Sequence, residues 1–447
     1  MNPVNKKEAL LLLTGDIIAF YTALWLMLLV RYGSIPSGDN LNLHVPPFSF
    51  LFLVWIVVFF IAGLYEKHTL ILKSKIGNVI LRAQITNSVL AFLFFYFIPF
   101  FGITPKTNLF IYLIISFGLI ALWRLSIFPL FEKGEKENAI LIGIGDEMRE
   151  LESEVNNNPR YSLKFISSLD LNMVNAIDFK EEILDHIYTE DVHLIAADFK
   201  NEKVEAFLPT LYNLIFSKVR FIDMHKIYED IFDRIPLSLV KESWFLQNIS
   251  GSTQKGYDFL KRGMDLVLAL VLGAISLILY PFVYIAIKLE DGGPIFFTQE
   301  RMGRNNKVMK VKKFRSLEVH NDPGGVARDP KTTKVGKFLR RTRIDELPQL
   351  WNVIRGDLSM IGPRPEIPKL AKDYEKEIPY YNIRHLIKPG LSGWAQLYGE
   401  HGHGALAIDE TRNKLSYDLY YIKNRSFMLD LKIALRTIKT ILSREGV

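Results

Sequence analysis

The sequence predicts an α/β membrane protein built in three successive parts, and three observations predict it. Four apolar runs fill the first 125 residues, short apolar strands alternate with helical stretches from 126 to 250, and a fifth apolar run opens 251–447 with cations on both flanks. Composition agrees: 49% of residues are hydrophobic and 13% aromatic, with 31 Phe, which is high for a water-soluble chain of 447 residues. There is no cysteine, which excludes disulfides and thiolate metal sites.

The four runs are Ala9–Val30, Phe48–Tyr65, Val89–Ile103 and Leu109–Trp123, each near the length that crosses a bilayer. The first follows Lys6 and Lys7 but has no small-residue cleavage site, so it reads as a retained anchor. The loop from Glu66 to Gln84 carries Lys67, Lys73, Lys75 and Arg82, whereas the other two loops offer only Arg31 and Lys106. Positive charge stays inside, so the N-terminus, the middle loop and everything after Trp123 are expected in the cytoplasm, with the chain in the inner membrane. Asp16 lies within the first run, near enough to its end to be read as reaching the headgroups.

From 126 to 250 the segments Ala139–Ile144, Leu163–Ser168, Val192–Ala197 and Val219–Asp223 read as strands, with Glu147–Asn156 and Glu181–Tyr188 as helices between them. That alternation implies a Rossmann-like parallel sheet with crossover helices. Gly143-Ile144-Gly145 supplies two glycines of a dinucleotide fingerprint, but Met148 stands where a third would allow close helix packing. Regulation or assembly is therefore preferred to dinucleotide binding.

The fifth run, Leu266–Ile287, would reach about 33 Å as a helix. Lys255, Lys261 and Arg262 precede it, and Lys288 follows it, so both ends ask to be on the same side. Pro281 removes one backbone donor and displaces the Leu277 carbonyl. A re-entrant helix over about 264–288, bent at Tyr280-Pro281, satisfies both facts; a kinked core helix or a fifth span are the alternatives.

The net charge is only +7, but between Arg301 and Arg343 fourteen Lys/Arg face three acids. Such a patch suits nucleic acid, anionic lipid or a phosphorylated substrate. Val308–Ser316 alternates apolar and basic residues, so one face of an extended segment is expected to be cationic. At the end of the patch stands Arg340-Arg341-Thr342-Arg343-Ile344-Asp345-Glu346-Leu347-Pro348. Thr342 and Asp345 have capping-box spacing, while Pro348 favours a helix starting a little later; both readings put Asp345 and Glu346 at a helix N-terminus. The dipole and the arginines are then expected to keep both carboxylates ionised. Ion pairing alone accounts for the dipeptide by itself; the other reading is a phosphate and Mg²⁺ site. Arg364 lies between Pro363 and Pro365, so its fork is held for phosphate.

GPIFFTQERMGRNNK, KKFRS, RRTRIDELPQLWNVIRGDLSMIGPRP, IRHLIKPGLSGWAQ and KLSYDLYYIKNRSFMLDLKIALRTIKT closely resemble the bacterial sugar transferases, the monotopic phosphoglycosyl transferases. The resemblance covers about Lys255 to the C-terminus. The first 250 residues resemble the family's long form only in architecture: four membrane helices and a degenerate nucleotide-binding-like domain. It implies a mostly helical monotopic catalytic domain with a re-entrant membrane helix. It also implies that Asp345 attacks the sugar-bearing phosphorus of a UDP-sugar, releases UMP and passes sugar-1-phosphate to undecaprenyl phosphate. Glu346 helps as base or metal neighbour, with Mg²⁺ beside Asp345. Lys313, Arg315, Arg340 and Arg364 match phosphate-binding positions. Membrane lipid is an implied partner and nucleic acid is not; a homodimer is compatible with the sequence.

Two departures stand out. The helix break is Tyr280-Pro281 where the family usually has Ser-Pro, and after Gln396 the chain reads toward Gly399-Glu400-His401-Gly402-His403, which leaves the sugar donor open. His401 and His403 have loop-like spacing rather than that of a metal pair. The last helix, Phe427–Leu442, is amphipathic, with Lys432, Arg436, Lys439 and Arg444 near its apolar face, and either lies on a membrane or packs on its domain. A membrane-bound nucleotide-sugar 4,6-dehydratase is a competing reading. It needs a full glycine-rich loop and a Tyr-x-x-x-Lys in a soluble helix, whereas Tyr284 and Lys288 lie in and just after the apolar run. A non-catalytic lipid-binding scaffold is the third, and it predicts that Asp345→Asn changes nothing.

Overall fold

The computed structural model describes residues 6–65, 73–98, 105–128, 136–158, 161, 163–172, 189–199, 201–205, 208–213, 219–249, 255–318, 332–399 and 408–443. The chain is mostly helical and divides into two compact units, Met1–Ile231 and Phe232–Val447.

In the first unit, four long helices run over α1 (Lys6–Tyr32), α2 (Gly38–Ile61), α3 (Lys73–Phe97) and α4 (Pro105–Leu122). Each contains a stretch long and apolar enough to cross a membrane. Ser37 caps α2 by accepting the Asn40 N–H, so this helix starts well before Phe48 and runs through Pro46 and Pro47. The third apolar stretch is Val79–Phe97, earlier than the sequence suggested. Arg82, Gln84 and Asn87 hid its start from hydropathy. Gln84 and Asn87 are in fact buried, where Gln84 Nε2 donates to Ser116 Oγ at 3.3 Å and Asn87 Nδ2 to Gln84 Oε1 at 3.4 Å. The centre is aromatic, with Phe20, Phe48, Trp55, Phe59 and Tyr112 buried against one another.

Asp16 does not reach for headgroups. It is fully buried and paired with Arg124, whose Nε donates to Oδ1 at 3.0 Å and whose Nη2 donates to Oδ2. Tyr65 donates to Oδ2 at 2.8 Å, and Arg124 Nη1 reaches the Leu64 carbonyl at 2.7 Å. Arg124 lies in the π-helical turn Trp123–Ile127 that ends α4, beyond the point where the apolar run was read as stopping. Gly15 permits the contact: a β-carbon there would fall 2.0 Å from the Trp123 ring.

The first unit also holds a parallel sheet of β1 (Glu137–Gly143), β2 (Leu163–Asp170), β3 (Leu194–Ala197) and β4 (Arg220–Asp223), in the order β2-β1-β3-β4. Helix α5 (Asp146–Asn157) follows β1 through Gly145 at φ 90°, a conformation that favours glycine. The expected helix Glu181–Tyr188 lies outside the described residues. Above the end of β1, the Met224 sulfur lies 3.0 Å and the Met148 sulfur 3.5 Å from where a Gly143 β-carbon would stand. Two thioethers thus leave no room for a side chain at that glycine.

In the second unit, helix α6 (Glu242–Asn248) adds Trp244 and Phe245 to a core with Tyr381, Trp394, Leu419 and Ile433. Residues 235–249 therefore pack with the C-terminal part, although composition placed them before the boundary at 250. Helix α7 (Lys255–Asp291) is continuous for 37 residues, and Pro281 lies inside it without interrupting it. Asp265, Ala269, Gly273, Ser276, Val283 and Ile287 are buried, with half-buried Tyr280 between the fourth and fifth, a spacing of three or four residues that keeps one stripe against the unit. Ala269 packs with Val311, Leu350 and Val353, and Val283 and Ile287 pack with Phe314 and Leu339. The other faces expose Val267, Leu270, Val271, Ile275, Ile278, Phe282 and Ile285.

A hairpin of β5 (Phe296–Met302) and β6 (Val308–Phe314) follows, then α8 (Lys334–Arg341), a 3₁₀ turn (Ile344–Gln349) and α9 (Leu350–Arg355). Two three-residue strands, β7 (Ser359–Ile361) and β8 (Gly390–Ser392), pair in parallel. Helices α10 (Ile408–Asn424) and α11 (Phe427–Ser443) complete the unit.

Candidate functional site

The local fold puts Asp345 and Glu346 in the first turn of the 3₁₀ segment. The capping box does not form. Thr342 instead ends α8, and its hydroxyl donates to the Phe338 carbonyl at 2.9 Å. Arg343 then turns the chain at φ 58°, in the left-handed region. Proline at 348 removes a donor that a full α-helix would need, and α9 starts only at Leu350. The result is a tight corner that buries Asp345 to 5% exposure.

Lys313 comes from β6, but not from the face first expected. Lys310 and Lys312 point to solvent, while Lys313 continues the inward face of Met309 and Val311 toward the corner. Gly336 brings α8 against the end of β6: a β-carbon there would meet the Ser316 carbonyl oxygen at 2.1 Å. Arg340, one turn later, donates its Nε to Ser316 Oγ at 2.9 Å. Arg364 follows β7 and donates Nη2 to Glu346 Oε1 at 3.3 Å; Arg343 reaches the same oxygen at 3.6 Å.

These groups line or border a cleft of ≈ 320 Å³ that includes Arg301, Lys313, Glu346, Gln349 and Arg364. Sequence reasoning missed Arg301 as a site residue. It is held by the Pro365 carbonyl at 3.1 Å and by Gln299 Oε1 at 2.6 Å. Its place on an alternating strand, two residues after a glutamine that can hold it, was the available signal.

Arg315 has a different role from the one its sequence suggested. Its Nε donates to the Pro294 carbonyl and its Nη1 to Asp291 Oδ2, both at 2.6 Å, and Nη2 also binds Asp291. That guanidinium ties the end of α7 to β6 and has no fork left for a phosphate. Tyr280 packs its ring on Phe314 at 4.8 Å, while Pro281 is exposed. His401 and His403 lie outside the described residues.

The electrostatics separate the two acids. Burial pushes the Asp345 carboxyl up to about 6, the Glu346 charge adds to this, and Lys313, Arg340 and Arg343 oppose it. The expectation that the arginines dominate at both acids is therefore corrected at Asp345. Burial pushes Glu346 up too, yet Arg364, Arg343 and Lys313 outweigh it and hold Glu346 below the usual carboxylate range. Burial, then Arg301 and Arg364, bring Lys313 down to about 8. Asp345 Oδ1 is buried without any hydrogen-bond partner. A buried polar atom left this way costs about 1–3 kcal/mol, so its retention points to chemistry rather than to stability.

Among the described residues no cluster of three acids or histidines forms a ready metal cage. Mg²⁺ needs less than that, since it keeps waters and shares substrate phosphates through one or two carboxylates. The orphaned oxygen of Asp345, next to Glu346, fits such a use. The Tyr-x-x-x-Lys of a dehydratase, which needs a soluble helix, is not supported, because Tyr284 and Lys288 both sit on α7, a helix long and apolar enough to cross a membrane.

The sequence pattern of the family described as "Bacterial sugar transferase" matches residues 256–444. An Aeromonas hydrophila UDP-N-acetylgalactosamine-undecaprenyl-phosphate N-acetylgalactosaminephosphotransferase is 45% identical over 194 residues, which is 42% of this chain and 45% of that protein. A Caulobacter vibrioides UDP-glucose:undecaprenyl-phosphate glucose-1-phosphate transferase is 39% identical over 193 residues, covering 42% of this chain and 72% of the relative. The Exopolysaccharide production protein PSS of Rhizobium leguminosarum bv. phaseoli is 39% identical over 196 residues, 41% of this chain and 96% of its own. The match spans under half the length of the Aeromonas protein, and the family pattern over 256–444 includes Asp345. The chain belongs to the bacterial sugar transferase family.

Proposed function

We propose that this protein transfers sugar-1-phosphate from a UDP-sugar to undecaprenyl phosphate at the cytoplasmic face of the inner membrane. The observation that carries the reading is the buried, unpartnered oxygen of Asp345 with Lys313, Arg340 and Arg343 acting on its charge. In the first step a carboxylate oxygen of Asp345 bonds to the sugar-bearing phosphorus, and the bond from that phosphorus to the UMP oxygen breaks. UMP leaves with the electron pair, and the sugar phosphate stays as an aspartyl ester. In the second step an oxygen of undecaprenyl phosphate attacks the same phosphorus and Asp345 leaves as a carboxylate. Lys313, Arg301 and Arg364 line one cleft and would neutralise the phosphoryl oxygens there, which an anionic nucleophile requires. Glu346 stays ionised, holds Arg364 and Arg343 in place, and repels a second negative charge from any site but the cationic one. Asp345, with the substrate phosphates, would hold Mg²⁺, which would supply charge neutralisation at the diphosphate.

The membrane reading follows from α7. Its buried stripe runs from Asp265 to Ile287, along the apolar part of the helix, so one side of that part is covered by the unit while its other faces are apolar and exposed. A helix covered in this way is poorly suited to cross a bilayer alone and well suited to a re-entrant, monotopic seat, taken up without a break at Pro281. Helix α11 supports the same seat. Phe427, Met428, Leu431, Ile438 and Ile441 face outward, while Lys432 lies 4.7 Å over the Trp394 ring and Arg436 4.2 Å over Tyr398. The first unit is read as four membrane helices and a Rossmann-like domain that serves assembly or regulation.

The test is UMP release by the purified protein across UDP-sugars, with a short polyprenyl phosphate as acceptor. Release with at least one donor, abolished in Asp345→Asn, is the expected result; silence with every donor sinks the assignment.

A further inference from the structure

The second unit carries a larger cleft, of ≈ 1120 Å³, that shares no residue with the one beside Asp345. Five cations line it, Lys261, Arg262, Arg304, Lys388 and Arg425, against two acids, Asp258 and Asp265. Three of the five are already engaged. Lys261 pairs with Asp430 at 2.9 Å and Arg425 with Asp258 at 3.3 Å. Arg262 donates to the Val353 and Ile354 carbonyls at 2.7 and 2.8 Å, so its position is fixed, and it makes no ion pair among the described residues. Arg304 and Lys388 make no side-chain hydrogen bond or ion pair among the described residues. Burial, together with Arg262 and Arg304, holds Lys388 below the usual lysine range, and Asp265 and Asp357 only partly offset this. Cations that repel one another around an open cleft are relieved by an anion.

The surroundings say which kind. Among the described residues no aromatic ring lines the cleft, so a nucleobase would find none of them to stack on. Leu386 in the lining is 43% exposed, and Phe259, on the same turn of α7 as the lining residues, is 80% exposed. Arg262 stands four residues before the apolar run from Leu266, about 6 Å along a helix. The cleft is thus at the boundary between the charged first turns of α7 and its apolar length. We propose that it binds the phosphate of an anionic phospholipid, with Arg304 and Lys388 contacting the phosphate and Arg262 behind them.

Binding here leaves the Asp345 cleft free, so this lipid is a resident of the seat and not the acceptor. The experiment uses the full chain in nanodiscs of phosphatidylcholine with phosphatidylglycerol, and counts lipid retained after release by native mass spectrometry. Wild-type protein is expected to keep phosphatidylglycerol in preference to phosphatidylcholine. Arg304→Gln with Lys388→Gln should lower that preference about 30-fold, by about fivefold per cation. Arg304→Lys with Lys388→Arg should preserve it, which separates lost charge from a damaged fold. Equal retention by the neutralised protein overturns the proposal. So does displacement of the lipid by inorganic phosphate, which would make this a free-anion site, or by polyprenyl phosphate, which would make it an acceptor site.

Discussion

Asp16 and Asp345 are both buried aspartates with arginine nearby, and they have opposite fates. Asp16, in the helical bundle of the first unit, spends both oxygens on Arg124 and Tyr65, and Arg124 closes its own valences on the Leu64 carbonyl. Asp345, in the second unit, has Arg340 and Arg343 acting on its charge, but one arginine is directed to Ser316 and the other to Glu346. Its Oδ1 has no partner. Cations near a buried acid therefore do not by themselves mark a reactive group. What distinguishes the two is satisfaction: the ion pair of the bundle is closed, and the site is left open for a third party.

The sharpest way to break this comparison is to neutralise each acid. Asp345→Asn should lower UMP release by about 10³-fold or more, as loss of a nucleophile does. The same change should leave the protein more stable. A carboxyl raised to about 6 in the folded chain is harder to ionise there than when unfolded. The folded state therefore loses stability as pH rises from about 4 to 6, and the loss is complete above 6. Replacing Asp345 with Asn should recover up to about 2–3 kcal/mol at pH 7.5, read as a higher midpoint in thermal or denaturant unfolding.

Arg124→Leu should do the reverse. Leaving Asp16 buried and unpaired costs about 3–5 kcal/mol of stability, while the turnover of the molecules that remain folded stays at the wild-type value. Equal stability of Arg124→Leu and wild type in a detergent melt would show that the pair is not closed in the way described.

A pH profile of kcat/KM for UMP release sharpens the contrast further. Asp345 is active as the carboxylate, so the rate should fall about tenfold per unit as pH drops below about 6. Lys313, brought down to about 8, should give a falling limb above that pH as its charge is lost. A profile flat from pH 5 to 9 contradicts both assignments. The smallest effect belongs to Arg315→Lys, which keeps the charge but loses the fork on Asp291; about 1–2 kcal/mol of stability should go with KM unchanged.

Much of this was legible in the sequence where the signal is local. Hydropathy gave the long apolar helices, and strand alternation gave β1 to β4. The Ile344-Asp345-Glu346-Leu347-Pro348 corner declared its acids among cations, and the prolines flanking Arg364 foretold a held guanidinium. What escaped depends on partners distant in the chain. Asp16 and Arg124 are 108 residues apart, so the acid looked unpaired. Arg315 sits in a basic run but meets Asp291, 24 residues earlier at the end of α7, a pairing that no local pattern announces. Thr342 has capping spacing, yet Arg343 in the left-handed region turns the chain before a new α-helix can begin. The seating of α11 was left open for a related reason: the Lys432 and Arg436 charges lie over Trp394 and Tyr398, partners that only the folded unit supplies.

The central claim is that one oxygen of Asp345 becomes bonded to phosphorus during turnover. Rapid quench of the purified protein with a competent UDP-sugar, and with polyprenyl phosphate withheld, followed by mass analysis of its peptides, tests it directly. The account predicts a sugar-phosphate adduct on the peptide containing Asp345, discharged when acceptor is added. An adduct on any other residue, or UMP released in the quench with residue 345 unmodified, would contradict it.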